Sequence, residues 1–407
     1  MLKAIFNKLR KEQPKPSYPE PALMKSYARL PVSFVRGDGC LLWDSNDNEY
    51  IDALGGIAVT FLGHSHPKIS EAISLQANKL LHTSNLFHIA EQASLGEKFC
   101  RISGMDKVFF GNSGAEANEA AIKLARLHGN AKGIKNPTII TMKQSFHGRT
   151  MATLSASGND AIHKGFQPLV SEFIYVDYNS VDAVKAHADN KDIVAVMVEP
   201  IQGEGGVILS DEGYLKGLRE LCDQQGWLLI IDEIQTGIGR TGKWFGFMHD
   251  DIKPDVVTSA KALGNGIPIG ACAARGAAAE LMSPGTHGST FGGNPFASKI
   301  AETVIDIIEQ EQLVEQAEKI GCFLKRQCQQ KLGTLEPVTN IRGKGLMMGI
   351  ELDQAYPDLA QTFLDKGLVI NITGGGKVIR LSLIHISEPT RPERISYAVF
   401  CLKKKTT

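Results

Sequence analysis

From about residue 70 to residue 274, short uninterrupted apolar runs alternate with segments of helical period. No other feature narrows the fold as far. The runs at 107–110, 138–142, 173–176, 193–198, 228–231, 256–258 and 270–274 are mostly apolar, as strands covered on both faces must be. Helical patterns such as 116–128 and 213–225 lie between most of them. This alternation predicts an α/β fold, a mostly parallel sheet between layers of helices.

The flanks read differently. Pro14, Pro16, Pro19 and Pro21 mark an irregular lead-in. The basic opening at 1–11 holds one Arg and no Ser, so it reads as an N-terminal arm and not as a transit peptide. Two β-rich runs, 32–36 and 41–43, surround Gly37-Asp38-Gly39, and Asn46-Asp47-Asn48 makes a turn before Tyr50-Ile51. A small β-meander is expected there. At Gly292-Gly293-Asn294-Pro295 the sheet pattern stops, and a long helical stretch, 297–332, leads into a smaller α+β part. We therefore expect residues 1–69 to form an N-terminal arm and part of a small domain, 70–295 a large domain, and 296–407 a C-terminal small domain.

Composition removes several classes of partner. Lys plus Arg equals Asp plus Glu at 44 each, so no global basic field points to nucleic acid or to a membrane surface. Small molecules are the expected partners. The seven cysteines are scattered and form no CxxC pair, which suggests neither a disulfide framework nor a zinc ribbon. A reducing, cytoplasmic home is the simplest expectation. The longest apolar runs fall short of a membrane span.

Residues just past the carboxyl ends of strands face the crevice where open α/β sheets bind ligands. Asp232 closes the run 228–231, and Lys261 follows the run 256–258. A lysine that can condense with an aldehyde, and a carboxylate that keeps a ring nitrogen protonated, are what a pyridoxal-phosphate enzyme needs. Gln235 follows Asp232 closely enough to reach the same ligand.

Gly111-Asn112-Ser113-Gly114-Ala115-Glu116 opens an alanine-rich helix after a strand. It is either an anion site made of free N–H groups or a Ser/Asn cap on a glycine turn. In Ser145-Phe146-His147-Gly148-Arg149, the Phe can stack on a planar ring and the Arg can grip a carboxylate; a core Phe and a surface Arg are the alternative. His147 is a weaker candidate for general base than Lys261. Glu199 and Glu204 lie among glycines, either as an acid/base pair or, preferably, as counter-ions for arginines. His64 and His66 lack a third nearby ligand, so no metal site is expected. The polar loop 285–295 either donates to a phosphate or is a linker.

Together these segments resemble the class III, ornithine-type aminotransferases of pyridoxal-phosphate fold type I, over about 27–380 and in the family's order. The blocks Tyr27-Ala28-Arg29-Leu30-Pro31-Val32, Tyr50-Ile51-Asp52-Ala53-Leu54-Gly55-Gly56-Ile57-Ala58-Val59 and Gly288-Ser289-Thr290-Phe291-Gly292-Gly293-Asn294-Pro295 look most like the branch acting on an acylated ornithine. The resemblance implies pyridoxal 5'-phosphate as cofactor, an acylated diamino acid and 2-oxoglutarate or glutamate as substrates, and a homodimer with composite sites.

Carried over by motif, Ser113, Gly114 and Ala115 match the phosphate turn and Phe146 the ring-stacking residue. Asp232 matches the pyridinium partner, within the cofactor-binding block Asp232, Glu233, Ile234 and Gln235, and Lys261 matches the lysine that carries the cofactor. Thr290 is similar to the hydroxyl that reaches the neighbouring subunit's phosphate, with Ser289 beside the substrate. Arg149 matches the substrate-carboxylate arginine, and Glu204 with Arg380 matches a pair that separates for glutamate. Tyr27 and the aliphatic Ile57 complete the substrate set; an aliphatic at Ile57 leaves room for an acylated amine. After Arg380 the chain departs from the family, since Pro389 and Pro392 delay any helix until about Glu393.

Overall fold

The polar turn at 46–48 folds the front of the chain back on itself. Asp44 makes this possible, because its Oδ1 accepts from the N–H groups of Asn46 (2.8 Å) and Asn48 (2.9 Å). In the computed structural model, which describes residues 22–383, the result is an antiparallel meander of β1 (Phe34–Asp38), β2 (Leu41–Asp44) and β3 (Glu49–Asp52). The first expected run starts two residues later than its apolar pattern and runs on into Asp38.

The apolar runs then give β4 (Lys107–Gly111), β5 (Thr138–Met142), β6 (Phe173–Val176) and β7 (Ile193–Val198). A two-residue hairpin, β8 (Ile201–Gln202) with β9 (Ile208–Leu209), precedes β10 (Leu228–Asp232), β11 (Val256–Ser259) and β12 (Gly270–Ala274). The large sheet has seven strands in the order β4-β12-β11-β10-β7-β5-β6. β6, β5, β7, β10 and β11 pair in parallel, while β12 runs against both of its neighbours.

Every residue of β7, β10 and β11 is buried. Alternate side chains of β10 serve opposite faces: Leu229 and Ile231 enter one apolar cluster, Leu228 and Ile230 the other. That two-sided demand explains why these strands show no polar alternation.

The remainder forms β13 (Val338–Lys344), β14 (Met347–Leu352), β15 (Leu368–Val369), β16 (Asn371–Thr373) and β17 (Val378–Ser382). β13-β14-β17-β16 make one sheet, but β15 pairs in parallel with β3. Residues 368–369 therefore return to the opening meander.

The expected helix at 297–332 is two helices, Pro295–Gln310 and Leu313–Leu332. The break falls at Gln312, whose φ of 53° is left-handed and cannot continue a right-handed helix. The first of the pair packs on the helices Ala90–Ser103 and Pro67–Lys79. Lys98 bridges to Asp306 (2.5 Å) and Glu302 (3.1 Å), and Arg101 to Glu309 (2.6 Å). The expected arm and the proline-delayed helix near Glu393 lie outside the described residues. Among the described residues no helix is long and apolar enough to cross a membrane.

Candidate active site

Parallel strands present their carboxyl ends at one edge, and five of them deliver a polar or aromatic residue there. β4 leads to Asn112 and Ser113, β5 to Phe146, β7 to Glu199, β10 ends in Asp232, and β11 leads to Lys261. Because β12 is antiparallel, its amino end reaches the same edge and brings Ile267, Pro268 and Ile269 with it. With Val59 these residues line a cavity of about 420 Å³.

Asp232 is held from three directions. Its Oδ2 accepts from Asn118 Nδ2 (2.8 Å) and contacts His147 Nδ1 (2.8 Å), and its Oδ1 accepts from the Ile234 N–H (3.0 Å). Asn118 also donates to the His147 carbonyl (2.7 Å), which fixes both partners. Burial alone would lower the His147 pKa, but the hydrogen bond and charge of Asp232, with Glu199 beyond, raise it.

At the head of the helix Gly114–Ala131, Ser113 is the N-cap and accepts from the Glu116 N–H (3.2 Å). Glu116 reaches back to the Asn112 N–H (2.7 Å). The first N–H groups of a helix have no partner within it, so Gly114 and Ala115 present donors to the cavity they line. Glycine is needed at 114 for space: a Cβ there would sit 2.8 Å from the Ile234 side chain.

Lys261 takes a left-handed φ of 47° at the start of a 3-10 turn. Burial brings its pKa down to about 8, aided by the charge of Arg380 and opposed by Glu204, Asp232 and Glu199. Glu199 is buried beside it and rises to about 7, chiefly from desolvation, with His147 pulling it down and Asp232 pushing it up. Its carboxylate accepts from the Phe146 N–H (3.0 Å) and the Gly203 N–H (3.3 Å), which makes it a clamp between two cavity loops.

Two arginines lie at or next to the cavity. Arg149 lines the cavity 5.6 Å from the Phe146 ring, is exposed, and has no carboxylate partner among the described residues. Arg380 is fully buried, pairs with Glu204 (2.5 Å) and donates to Gln235 Oε1 (3.2 Å), which itself lines the cavity. Its Nε and Nη2 have no partner, so donors remain for an incoming acceptor.

Other expected residues lie apart. Glu233 does not line the cavity; its carboxylate takes the N–H groups of Gly246 and Phe247, both at 2.8 Å, and the Thr236 hydroxyl. Ser289 touches the site through Asn112 (3.1 Å), whereas Thr290 is exposed and outside the cavity of its own chain. Tyr27 is exposed under Arg29, and Ile57 is half-exposed next to the lining residue Val59. His64 pairs with Asp52 (2.8 Å). Asn118, which the sequence analysis missed, is wholly buried on the alanine face of its helix. A lone amide on such a face was its only signal.

These residues fit pyridoxal 5'-phosphate: a buried amine of lowered pKa, a fixed carboxylate, an aromatic side chain, and a helix N-terminus that admits no Cβ. The matching family model, Aminotransferase class-III, covers residues 23–389. An acetylornithine aminotransferase of Nitrosomonas europaea is 52% identical over 88% of this chain and 91% of its own. Ornithine aminotransferase of Toxoplasma gondii superposes with a TM-score of 0.90 at 33% identity, covering 94% of both chains. An acetylornithine aminotransferase of Elizabethkingia anophelis does so at 0.82 and 34%, covering 92% of this chain and 94% of its own. By motif order, fold and relatedness, the chain belongs to the pyridoxal-phosphate-dependent class-III aminotransferases.

Proposed function

We propose that this enzyme moves the side-chain amine of N2-acetylornithine to 2-oxoglutarate, giving N-acetylglutamate 5-semialdehyde and glutamate, as a cytoplasmic step of arginine biosynthesis. The observation that carries it is Lys261 and Asp232 in one cavity flanked by Arg149 and Arg380, in a chain half identical to acetylornithine aminotransferases. Pyridoxal phosphate, when bound, supplies an aldehyde that takes up the amine and a ring that draws electrons from the reacting carbon. Lys261 is the residue that carries it, with Ser113, Gly114 and Ala115 at its phosphate, Phe146 on its ring and Asp232 at its ring nitrogen.

Lys261 Nζ, released when the donor's amine takes its place, would then be the base that lifts the proton from the donor's amine-bearing carbon. In the second half-reaction it returns a proton to the α-carbon of the acceptor. A pKa near 8 leaves a usable neutral fraction for that task. Arg149 binds the carboxylate of the donor and the side-chain carboxylate of 2-oxoglutarate. Arg380, freed when Glu204 turns toward solvent, takes the acceptor's α-carboxylate. Glu204 is 32% exposed, so that swing needs little desolvation.

The exposed apolar side chains Leu80, Leu81, Leu86, Phe87 and Phe291, near Ser289 and Thr290 in sequence or space, support a homodimer in which Thr290 reaches the partner's phosphate. In this reading, 70–295 is the large domain, and the segments before and after it share the small one.

An amine-donor panel with 2-oxoglutarate tests the assignment. N2-acetylornithine should give the highest kcat/KM; preference for free ornithine or 4-aminobutyrate would reassign the substrate within the family. Lys261→Ala should abolish both turnover and the visible cofactor band, and full activity in that variant would end the proposal.

A further inference from the structure

The segment between β3 and the helix at 67 contains an unusual piece of backbone. Gly55 (φ 58°), Gly56 (61°), Ile57 (65°) and Ala58 (63°) are four consecutive left-handed residues. Two of them carry a Cβ, and a β-branched residue in this region is a true outlier. Such a turn persists only where its surroundings impose it, and imposed strain gathers at functional sites. Val59, the next residue, lines the cavity.

Both ends of the turn are held. At the front, Asp52 Oδ1 accepts from the N–H groups of Leu54 (2.9 Å) and Gly55 (2.8 Å), and its Oδ2 is fixed by His64 Nε2 (2.8 Å). At the back, Arg240 Nη2 donates to the Ala58 carbonyl (3.0 Å), and Nη1 donates to the Leu383 carbonyl (2.5 Å). Just beyond, Asn265 accepts from the Leu62 N–H (2.9 Å) and so ties the segment to the loop that follows Lys261.

Arg240 is the unexpected member. It is fully buried, lies 4.9 Å above the Phe61 ring, and pairs with no carboxylate among the described residues. A buried cation without a counter-ion is costly, and a neutral side chain would fill the same space. Its forked donors do what an apolar residue cannot: they hold two carbonyls from distant parts of the chain, one belonging to the strained turn.

We propose that Arg240, which does not touch the cavity, is a positioning residue for the amine donor, holding Ala58 so that Val59 keeps its place in the wall the donor meets. This rests on the aminotransferase reading and deepens it. The acceptor's carboxylates go to Arg149 and Arg380, so the acceptor depends less on this wall than a donor with a bulky acylated arm.

The test resolves the two half-reactions by the cofactor band, with N2-acetylornithine as donor and 2-oxoglutarate as acceptor, in holoenzyme carrying Arg240→Met or Arg240→Lys. We expect Arg240→Met to raise the apparent donor Kd about tenfold, with the acceptor Kd changed less than about twofold and cofactor stoichiometry intact. Arg240→Lys, which keeps a single donor for Ala58, should fall between the two. Donor and acceptor constants that rise in parallel, or a folded Arg240→Met with unchanged donor Kd, would overturn the proposal. Loss of fold in both variants would assign Arg240 to stability alone and overturn it as well. A wild-type band that no amine donor bleaches would instead sink the aminotransferase reading itself.

Discussion

At the residue scale, the site depends on what burial does to charge. Lys261 sits where its ammonium form is penalised, so its folded pKa of about 8 lies below the unfolded value of 10.5. The unfolded chain therefore binds more protons between those limits, and this group's penalty on the apo-protein is full below about pH 8 and fades as pH rises toward 10.5. Lys261→Met in apo-enzyme should accordingly raise the Tm at pH 7, with the gain shrinking between pH 8 and 10.5. A thermal scan across pH checks it, and a constant difference would contradict it. Arg149 makes a second case. As an exposed, unpaired guanidinium beside the cavity it is placed for bidentate contact, so Arg149→Lys should raise KM for donor and acceptor alike by about tenfold, in steady-state kinetics. Lys261, Asp232 and Arg149 could be placed at the sheet's edge from the sequence because each lies at or soon after the end of a strand marked by an apolar run. Asn118 and Val59 were not, since one is an amide within a helix and the other a common aliphatic residue brought in by a strained turn.

Elements succeed or fail here by close approach. β12 meets the turn at Ser113 without a side chain between them: a Cβ on Gly270 would lie 2.1 Å from the Ser113 carbonyl oxygen. Gly270→Ala should therefore displace either β12 or the head of the helix Gly114–Ala131, and cofactor affinity should fall at least about tenfold. Equilibrium titration with the cofactor measures this, and unchanged affinity would show that the turn has room to move. On the helical layer, Glu302 is lowered to about 2: burial opposes the shift, but bonds from Ser94, Lys299 and Lys98 outweigh it. A carboxylate with a depressed folded pKa stabilises above its unfolded value of 4.5, and that contribution is lost as pH falls toward 2. Glu302→Gln should flatten the acid limb of the stability curve in this window, which acid titration followed by circular dichroism would show. Strand positions were readable from uninterrupted apolar runs, and those seven runs are the seven strands of the large sheet. The break at Gln312 was not, because glutamine is a good helix former and neither glycine nor proline marks the turn. Nor was β15, two residues long, whose partner lies more than 300 positions away in β3.

For the whole molecule, the exposed cluster around Phe87 and Phe291 is the surface to test. Phe87→Asp with Phe291→Asp should shift the enzyme toward monomer in light scattering and reduce turnover, since Thr290 would lose the site across the interface. A fully active monomer would remove the composite-site reading. The strand order has a different consequence. β4 borders β12, and β12 borders β11, so the surroundings of the Ser113 turn are closed across about 160 residues of intervening chain, a costly loop to close. Ser113, Lys261 and Arg380 span a longer stretch still, 113–380, and come into register only when all of it is present. Colour from captured vitamin B6 is thus a late signal in refolding, one that reports closure of the entire sheet and not the birth of any single lobe.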